Sequence, residues 1–211
     1  MEPINLFLMD MSHAGNTSGV DRYIGTLLKG LENFPYIRVC WIHLRHDPSI
    51  LFYSEEQTSY YTKITIPLPQ QFKEIISQKF WNNKYNEQVY RITRHLFERK
   101  QNCIIHIHTL NLIDLATFIR TKIKCKIITH LHCIPWKGLY NSNIRKFNEL
   151  YNLVNIETNQ VFKRINFVTN HSEIQSYTDS DHIISVTCCA KDFLRDIMDI
   201  PDTKISVIHN G

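Results

Sequence analysis

The sequence predicts an α/β fold built on a doubly wound, mostly parallel sheet with helices on both faces. Three observations carry that expectation. Short apolar runs that read as buried strands recur along the chain, amphipathic helical patterns separate them, and several runs end in polar residues beside glycine, histidine or proline. In such a sheet the carboxyl ends of the strands border the ligand crevice, so the residues found there decide the chemistry. The sharpest case is Lys126–Trp136 (KIITHLHCIPW), an apolar run that delivers His130 and His132 just before a proline.

A chain of 211 residues is long enough for one large α/β domain with a substantial core. Hydrophobic residues make up 43% and charged residues 21%, which excludes a mainly disordered chain. A net charge of +4 is too weak for a dedicated nucleic-acid binder, so no nucleic-acid partner is expected. Six cysteines show no CxxC spacing, and several lie within apolar runs, where Cys behaves as a small hydrophobe and a reducing compartment is implied. The Met-Glu-Pro start carries no basic segment and the apolar run after it is short, so neither a secretory signal nor a membrane span is expected. These features place the protein in the cytoplasm, with its inner membrane face as an alternative location.

Ile4–Met9 is the first strand, and Asp10–Gly19 (DMSHAGNTSG) reads as a loop, with Ser18 as a helix cap. Val20, Ile24, Leu27, Leu28 and Leu31 then fall on one helical face. A helix N-terminus offers unpaired N–H groups and partial positive charge, and Gly19 would let a phosphate approach them; alternatively, Gly15 and Gly19 only turn the chain. Ile37–Leu44 is the second strand and Lys63–Leu68 the third. The aromatics between them, Phe52, Tyr53, Tyr60 and Tyr61, suit either stacking on a flat ligand or packing beneath a long loop.

Residues 71–100 read as helical with a break at Asn82-Asn83, and Arg91, Arg94, Arg99 and Lys100 lie toward the end. Cations there complement the helix dipole, with a peripheral contact to an anionic membrane as the other reading. Cys103–His108 is the fourth strand, a helix through Leu112, Leu115, Ala116 and Ile119 follows, and Cys125–His130 is the fifth strand. This βαβ unit makes the two strands parallel, so His106, His108, His130 and His132 gather at one rim. A long helix over residues 144–165, an ambiguous stretch over 166–181, a strand at His182–Thr187, a helix through Ala190–Met198 and a strand at Lys204–Ile208 complete the pattern.

Four landmarks in order resemble the N-terminal domain of GT-B glycosyltransferases, most closely the large retaining family 4. They are the loop and helix SGVDRYIGTLLKGL, the strand IIHIHT, the strand IITHLHCIP, and SDHIISVT followed by a helix and KISVIHNG. The resemblance spans the whole chain and implies a Rossmann-like domain over residues 1–211. It also implies transfer of a sugar from a nucleotide-sugar to a glycan or lipid-linked acceptor, with retained anomeric configuration and no essential metal or other cofactor. His132 matches the family's active-site histidine, Ser18 and Gly19 its donor-phosphate loop, and His108, Thr109 and His130 its acceptor pocket. Ser18 stands where the family has a first glycine. The chain ends at the family's interdomain hinge, so the C-terminal domain that holds the donor is expected beyond Gly211, and these residues alone are expected to be inactive.

Two other classes remain open on the residues. Two HxH pairs on adjacent strands offer imidazole ligands to a metal-dependent hydrolase, although neither pair is followed by an Asp and no nearby carboxylate cluster is expected. A sheet of this kind also suits a non-catalytic module that binds a sugar or nucleotide.

Overall fold

The computed structural model describes residues 2–13, 19–68, 78–133, 145, 171–196 and 198–209. Eight strands form one sheet: β1 (Ile4–His13), β2 (Ile37–His46), β3 (Ser54–Gln57), β4 (Tyr61–Pro67), β5 (Cys103–Ile107), β6 (Cys125–Leu131), β7 (His182–Ser185) and β8 (Ile205–Val207). The helices are α1 (Gly19–Leu31), α2 (Gln78–Phe97), α3 (Ile113–Arg120), α4 (His171–Asp179) and α5 (Cys188–Asp196). The strand order is β3-β4-β2-β1-β5-β6-β7-β8, and every pair is parallel except β3 with β4. The order runs outward in both directions from β1, so the winding reverses between β1 and β5, where a sheet of this class holds its ligand.

Strand alternation divides the central strands into two faces. Phe7 and Met9 of β1, Ile42 and Leu44 of β2, Ile64 and Ile66 of β4, Ile105 and Ile107 of β5 and Ile127 of β6 form one buried cluster with Val89 and Phe97 of α2 and with Ile113, Leu115, Ala116 and Ile119 of α3. The Phe7 and Phe97 rings sit 4.3 Å apart. On the other face Leu8 and Val39 pack against Ile24 and Leu28 of α1. A third cluster joins Leu131, Tyr177, Ile183, Phe193 and Leu194 at the β7–β8 end.

Several elements differ from the expected ones for identifiable reasons. The loop expected at Asp10–Gly19 begins later: β1 continues to His13 because pairing with β2 persists through Ser12↔Arg45 and His13↔His46. Asp10 and Ser12 tolerate that position because both find side-chain partners on β2. β3 is not expected from the sequence; its SEEQ residues are exposed at all four positions and pair with β4 as an antiparallel edge, so the strand carries no apolar alternation. The break at Asn82-Asn83 does not occur, and α2 passes through it as one helix, since Asn costs only a fraction of a kcal/mol, roughly 0.7 or less, in a helix interior.

Arg91 pairs with Glu87 at 2.7 Å and Arg94 with Glu98 at 3.8 Å, Arg94 lying in the last turn of α2, whereas Arg99 and Lys100 lie beyond its end. Tyr60 and Tyr61 pack together at 5.0 Å against the α1-side cluster, whereas Phe52 and Tyr53 are exposed rather than buried beneath the loop. Residues 172–177, ambiguous in sequence, lie in α4. The helix expected over 144–165, apart from Arg145, the cap Ser18 and the terminal Asn210-Gly211 lie outside the described residues. Among the described residues, no helix is long and apolar enough to cross a membrane.

Candidate functional site

The α1 face of the sheet is apolar at its base and polar at its carboxyl edge. In β1 the α1-side residues run Leu6, Leu8, Asp10, Ser12, and in β2 they run Val39, Trp41, His43. β5 contributes His106, and His108 follows its last residue; β6 contributes His130, and His132 follows Leu131. Register aligns these side chains across strands: Asp10 pairs with His43, Met9 with Ile107, and Ile107 with Thr129. One step further, His43, Asp10, His108 and His130 occupy one level on four neighbouring strands, and the His108 N–H donates to the Met9 carbonyl at 2.8 Å.

The four histidines form a stack. His130 and His132 lie nearly parallel with centroids 4.3 Å apart and 9° between planes, and His106 approaches His108 at 4.3 Å and His130 at 5.4 Å. His108 Nδ1 and His132 Nε2 share a hydrogen bond of 3.0 Å. His106, His108 and His130 are buried at 6%, 4% and 1% exposure, and His132 is half-buried at the rim. Burial disfavours the imidazolium, and the neighbouring rings add to this for the three inner histidines. His106 and His130 are pushed down to about 3, His132 to about 4, and His108 well below the ordinary value. All four are therefore neutral near pH 7 and act as hydrogen-bonding or ligating groups rather than as cations.

Their hydrogen-bonding capacity is not fully used. Among the described residues, Nε2 of His106, Nε2 of His108 and both ring nitrogens of His130 are buried without a partner, at a cost of about 1–3 kcal/mol for each unsatisfied group. One nitrogen from each of His106, His108 and His130 lies within 4.8 Å of the others.

A second polar cluster, absent from the sequence-based expectations, sits on β1 and β2. His43 Nδ1 bonds Asp10 Oδ1 at 2.9 Å, His43 Nε2 bonds Ser12 Oγ at 3.1 Å, and the Trp41 indole N–H donates to Asp10 Oδ1 at 2.6 Å. Ligand atoms of Asp10, Asp21 and His43 lie within 4.8 Å of one another, which corrects the expectation that no carboxylates gather near the histidines. Asp21 comes from the first turn of α1. The one available signal is parity, because Asp10 and Ser12 continue the Leu6 and Leu8 face of a strand whose end reads as loop.

α1 brings its N-terminus to this edge through Tyr23. Its ring stands edge-on to His130 at 4.6 Å and to His132 at 5.1 Å, and lies 5.7 Å from His108. Gly19, the first residue of α1, is just over one helical turn before Tyr23. Among the described residues, a Cβ added at Gly19 would meet nothing within 4 Å. Thr109 is half-buried beside the cluster and its hydroxyl accepts the Met11 N–H at 3.3 Å. The structure thus brings Gly19, His108, Thr109, His130 and His132 to one edge, with Ser18 outside the described residues.

Comparison with known proteins agrees with this architecture. Sucrose-phosphate synthase from Thermosynechococcus elongatus superposes with a TM-score of 0.60 at 14% identity, over 99% of this chain and 48% of that protein. A trehalose-6-phosphate synthase gives 0.53 at 15% identity over 91% and 42%. HepE from Anabaena, solved with UDP and glucose, gives 0.51 at 10% identity over 97% and 44%. At these identities the likeness is one of fold, and the chain spans about half the length of the sucrose-phosphate synthase, 48%. No curated protein matches the sequence. Residues 17–211 match the profile described as Glycosyltransferase Family 4, which takes in both the glycine loop and the histidine strands. A parallel sheet of GT-B type and a family match over nearly the whole sequence lead to one assignment: the chain belongs to glycosyltransferase family 4.

Proposed function

We propose that this chain is the acceptor-side half of a retaining glycosyltransferase, which moves a sugar from a nucleotide-sugar to a glycan or lipid-linked acceptor. The donor domain then lies beyond Gly211, and the transfer step needs no metal ion. The observation that carries the reading is the contact of Tyr23 with His130 and His132. It sets the N-terminus of α1 and the exposed side of His132 at the same edge of the sheet, beside the reversal point between β1 and β5.

The chemistry follows from that juxtaposition. As the bond from the anomeric carbon to the diphosphate breaks, negative charge grows on the leaving group. The N–H groups and partial positive charge that a helix N-terminus offers stabilise that charge, and among the described residues nothing crowds Gly19 where a phosphate would approach. His132, neutral because burial holds its proton affinity down, contributes a hydrogen bond to the donor sugar. Its value lies in orienting the anomeric carbon toward the acceptor, and the wall of buried residues beneath it keeps water from competing.

His132→Ala in the full-length protein tests this assignment. Turnover is expected to fall at least about a hundredfold with little change in the Michaelis constant for donor, because an interaction strengthened in the transition state registers in the rate. Full turnover in His132→Ala with loss in His108→Ala would move the role from the end of β6 to the end of β5.

A further inference from the structure

The inner histidines offer more than the transfer reading uses. Of the four, His132 reaches the rim; His106, His108 and His130 lie behind it, each more than nine-tenths buried, with four ring nitrogens that find no hydrogen-bond partner among the described residues. A buried polar network this incomplete calls for a ligand that takes several lone pairs at once. We propose that His106, His108 and His130 form a binding site for one divalent transition-metal ion of the zinc type, tying β5 to β6 beneath the crevice.

The donor set selects that class of ion. Three imidazoles suit zinc, copper or nickel, whereas magnesium and calcium require oxygen ligands. One nitrogen from each histidine already lies within 4.8 Å of the other two. Zinc–nitrogen bonds of about 2.1 Å in a tetrahedral site place the nitrogens about 3.4 Å apart, so small rotations of rings held on paired strands close the site.

The surroundings complete the arrangement. His108 Nδ1 is hydrogen-bonded to His132 Nε2 at 3.0 Å, which leaves His108 Nε2 facing inward and fixes its ring as outer partners of ligating histidines do. Asp10, one strand away at the level of His108 and buried with Oδ2 unpartnered, supplies a carboxylate near the added charge. The ion has no part in sugar transfer: it sits below His132 and steadies that residue through His108. The inference rests on the histidine geometry alone and stands or falls apart from the transferase reading.

Titration of the untagged protein with Co2+ in metal-free buffer is the test. One equivalent per chain should develop the intense visible absorption of four-coordinate cobalt, and one equivalent of Zn2+ should displace it. Because His106→Asn/His130→Asn could compromise folding, His106→Gln is measured beside it, with circular dichroism reporting the fold of each. Both should weaken Co2+ binding at least about a hundredfold, and His132→Phe, which removes the outer partner of His108, about tenfold. His43→Ala and His95→Ala should bind as the parent does. Absence of stoichiometric binding would overturn the proposal. So would a weak six-coordinate spectrum, or a signal that survives in His106→Gln and disappears in His43→Ala.

Discussion

The two faces of the central sheet are made by the same strands and differ in what they ask of their residues. On the α2–α3 side, Phe7, Met9, Ile42, Leu44, Ile105, Ile107 and Ile127 stay apolar up to the carboxyl ends and meet apolar helix faces. On the α1 side the pattern starts the same way, with Leu8 and Val39 on Ile24 and Leu28, then changes to Asp10, Ser12, His43, His106, His108 and His130. The first face is chiefly a packing surface, and its buried Thr129, next after Ile127 on that side of β6, finds its partners in Ser176 and Ser180. The second gives up apolar burial near the crevice and holds polar groups that the fold only partly satisfies. Stability and chemistry are thus separated by strand parity, one residue apart in the chain and on opposite sides of one sheet.

The sharpest way to break that separation is a truncation on the packing face. Ile105→Ala removes a fully buried side chain that stands in register between Phe7 of β1 and Ile127 of β6. Thermal or denaturant unfolding should show a loss of about 3–4 kcal/mol, with transfer per folded molecule unchanged. A large loss of turnover in the folded fraction would mean that the two faces are not independent.

Gly19→Val probes the other side. Its added Cβ meets nothing within 4 Å among the described residues, so the unfolding midpoint should hardly move. Transfer by the full-length protein should fall about a hundredfold, or about 2.7 kcal/mol of barrier, if phosphate approaches there. An unfolded variant would instead make Gly19 a structural requirement. His43→Ala should behave between these extremes. It strands Ser12 and removes one of the two partners of Asp10 Oδ1, for a loss of about 2 kcal/mol in unfolding free energy.

The smallest effect belongs to the amino end of β6, where polar groups are satisfied near solvent. Burial alone would raise the Asp181 carboxyl, but hydrogen bonds from Lys126 and the Ile127 N–H, with the charges of Lys126 and Arg120, hold it below the ordinary range. A carboxylate lowered on folding contributes stability that is complete above its unfolded value, about 3.9, and is lost as pH falls through its lowered folded value. The midpoint gap between the parent and Asp181→Asn should therefore be small at pH 7 and should close in stronger acid.

Much of this is legible in the residues. The apolar runs that form β1, β2, β5, β6, β7 and β8 announce themselves by composition, and HIH and HLH mark where two of them end. β3 is not legible, because an exposed edge strand of sequence SEEQ is held by backbone pairing to β4 and has no side-chain pattern to read. The end of β1 is misplaced by sequence because polar residues in an apolar strand are tolerated only when a partner is opposite, and the partner of Asp10, His43, lies 33 residues away.

What the sequence determined by itself was parity and order: alternation put His106 with His108 and His130 with His132 whatever the rest of the chain did, and the helical segments between strands required parallel pairing. What only the tertiary structure decided was company. That His43 meets Asp10 and Ser12, that Tyr23 lies against His130 and His132, and that three inner histidines bury their nitrogens within 4.8 Å of one another all depend on register and strand order. Those are set by the packing of the whole sheet against its helices, because no local run of residues carries the energy that chooses which strands become neighbours.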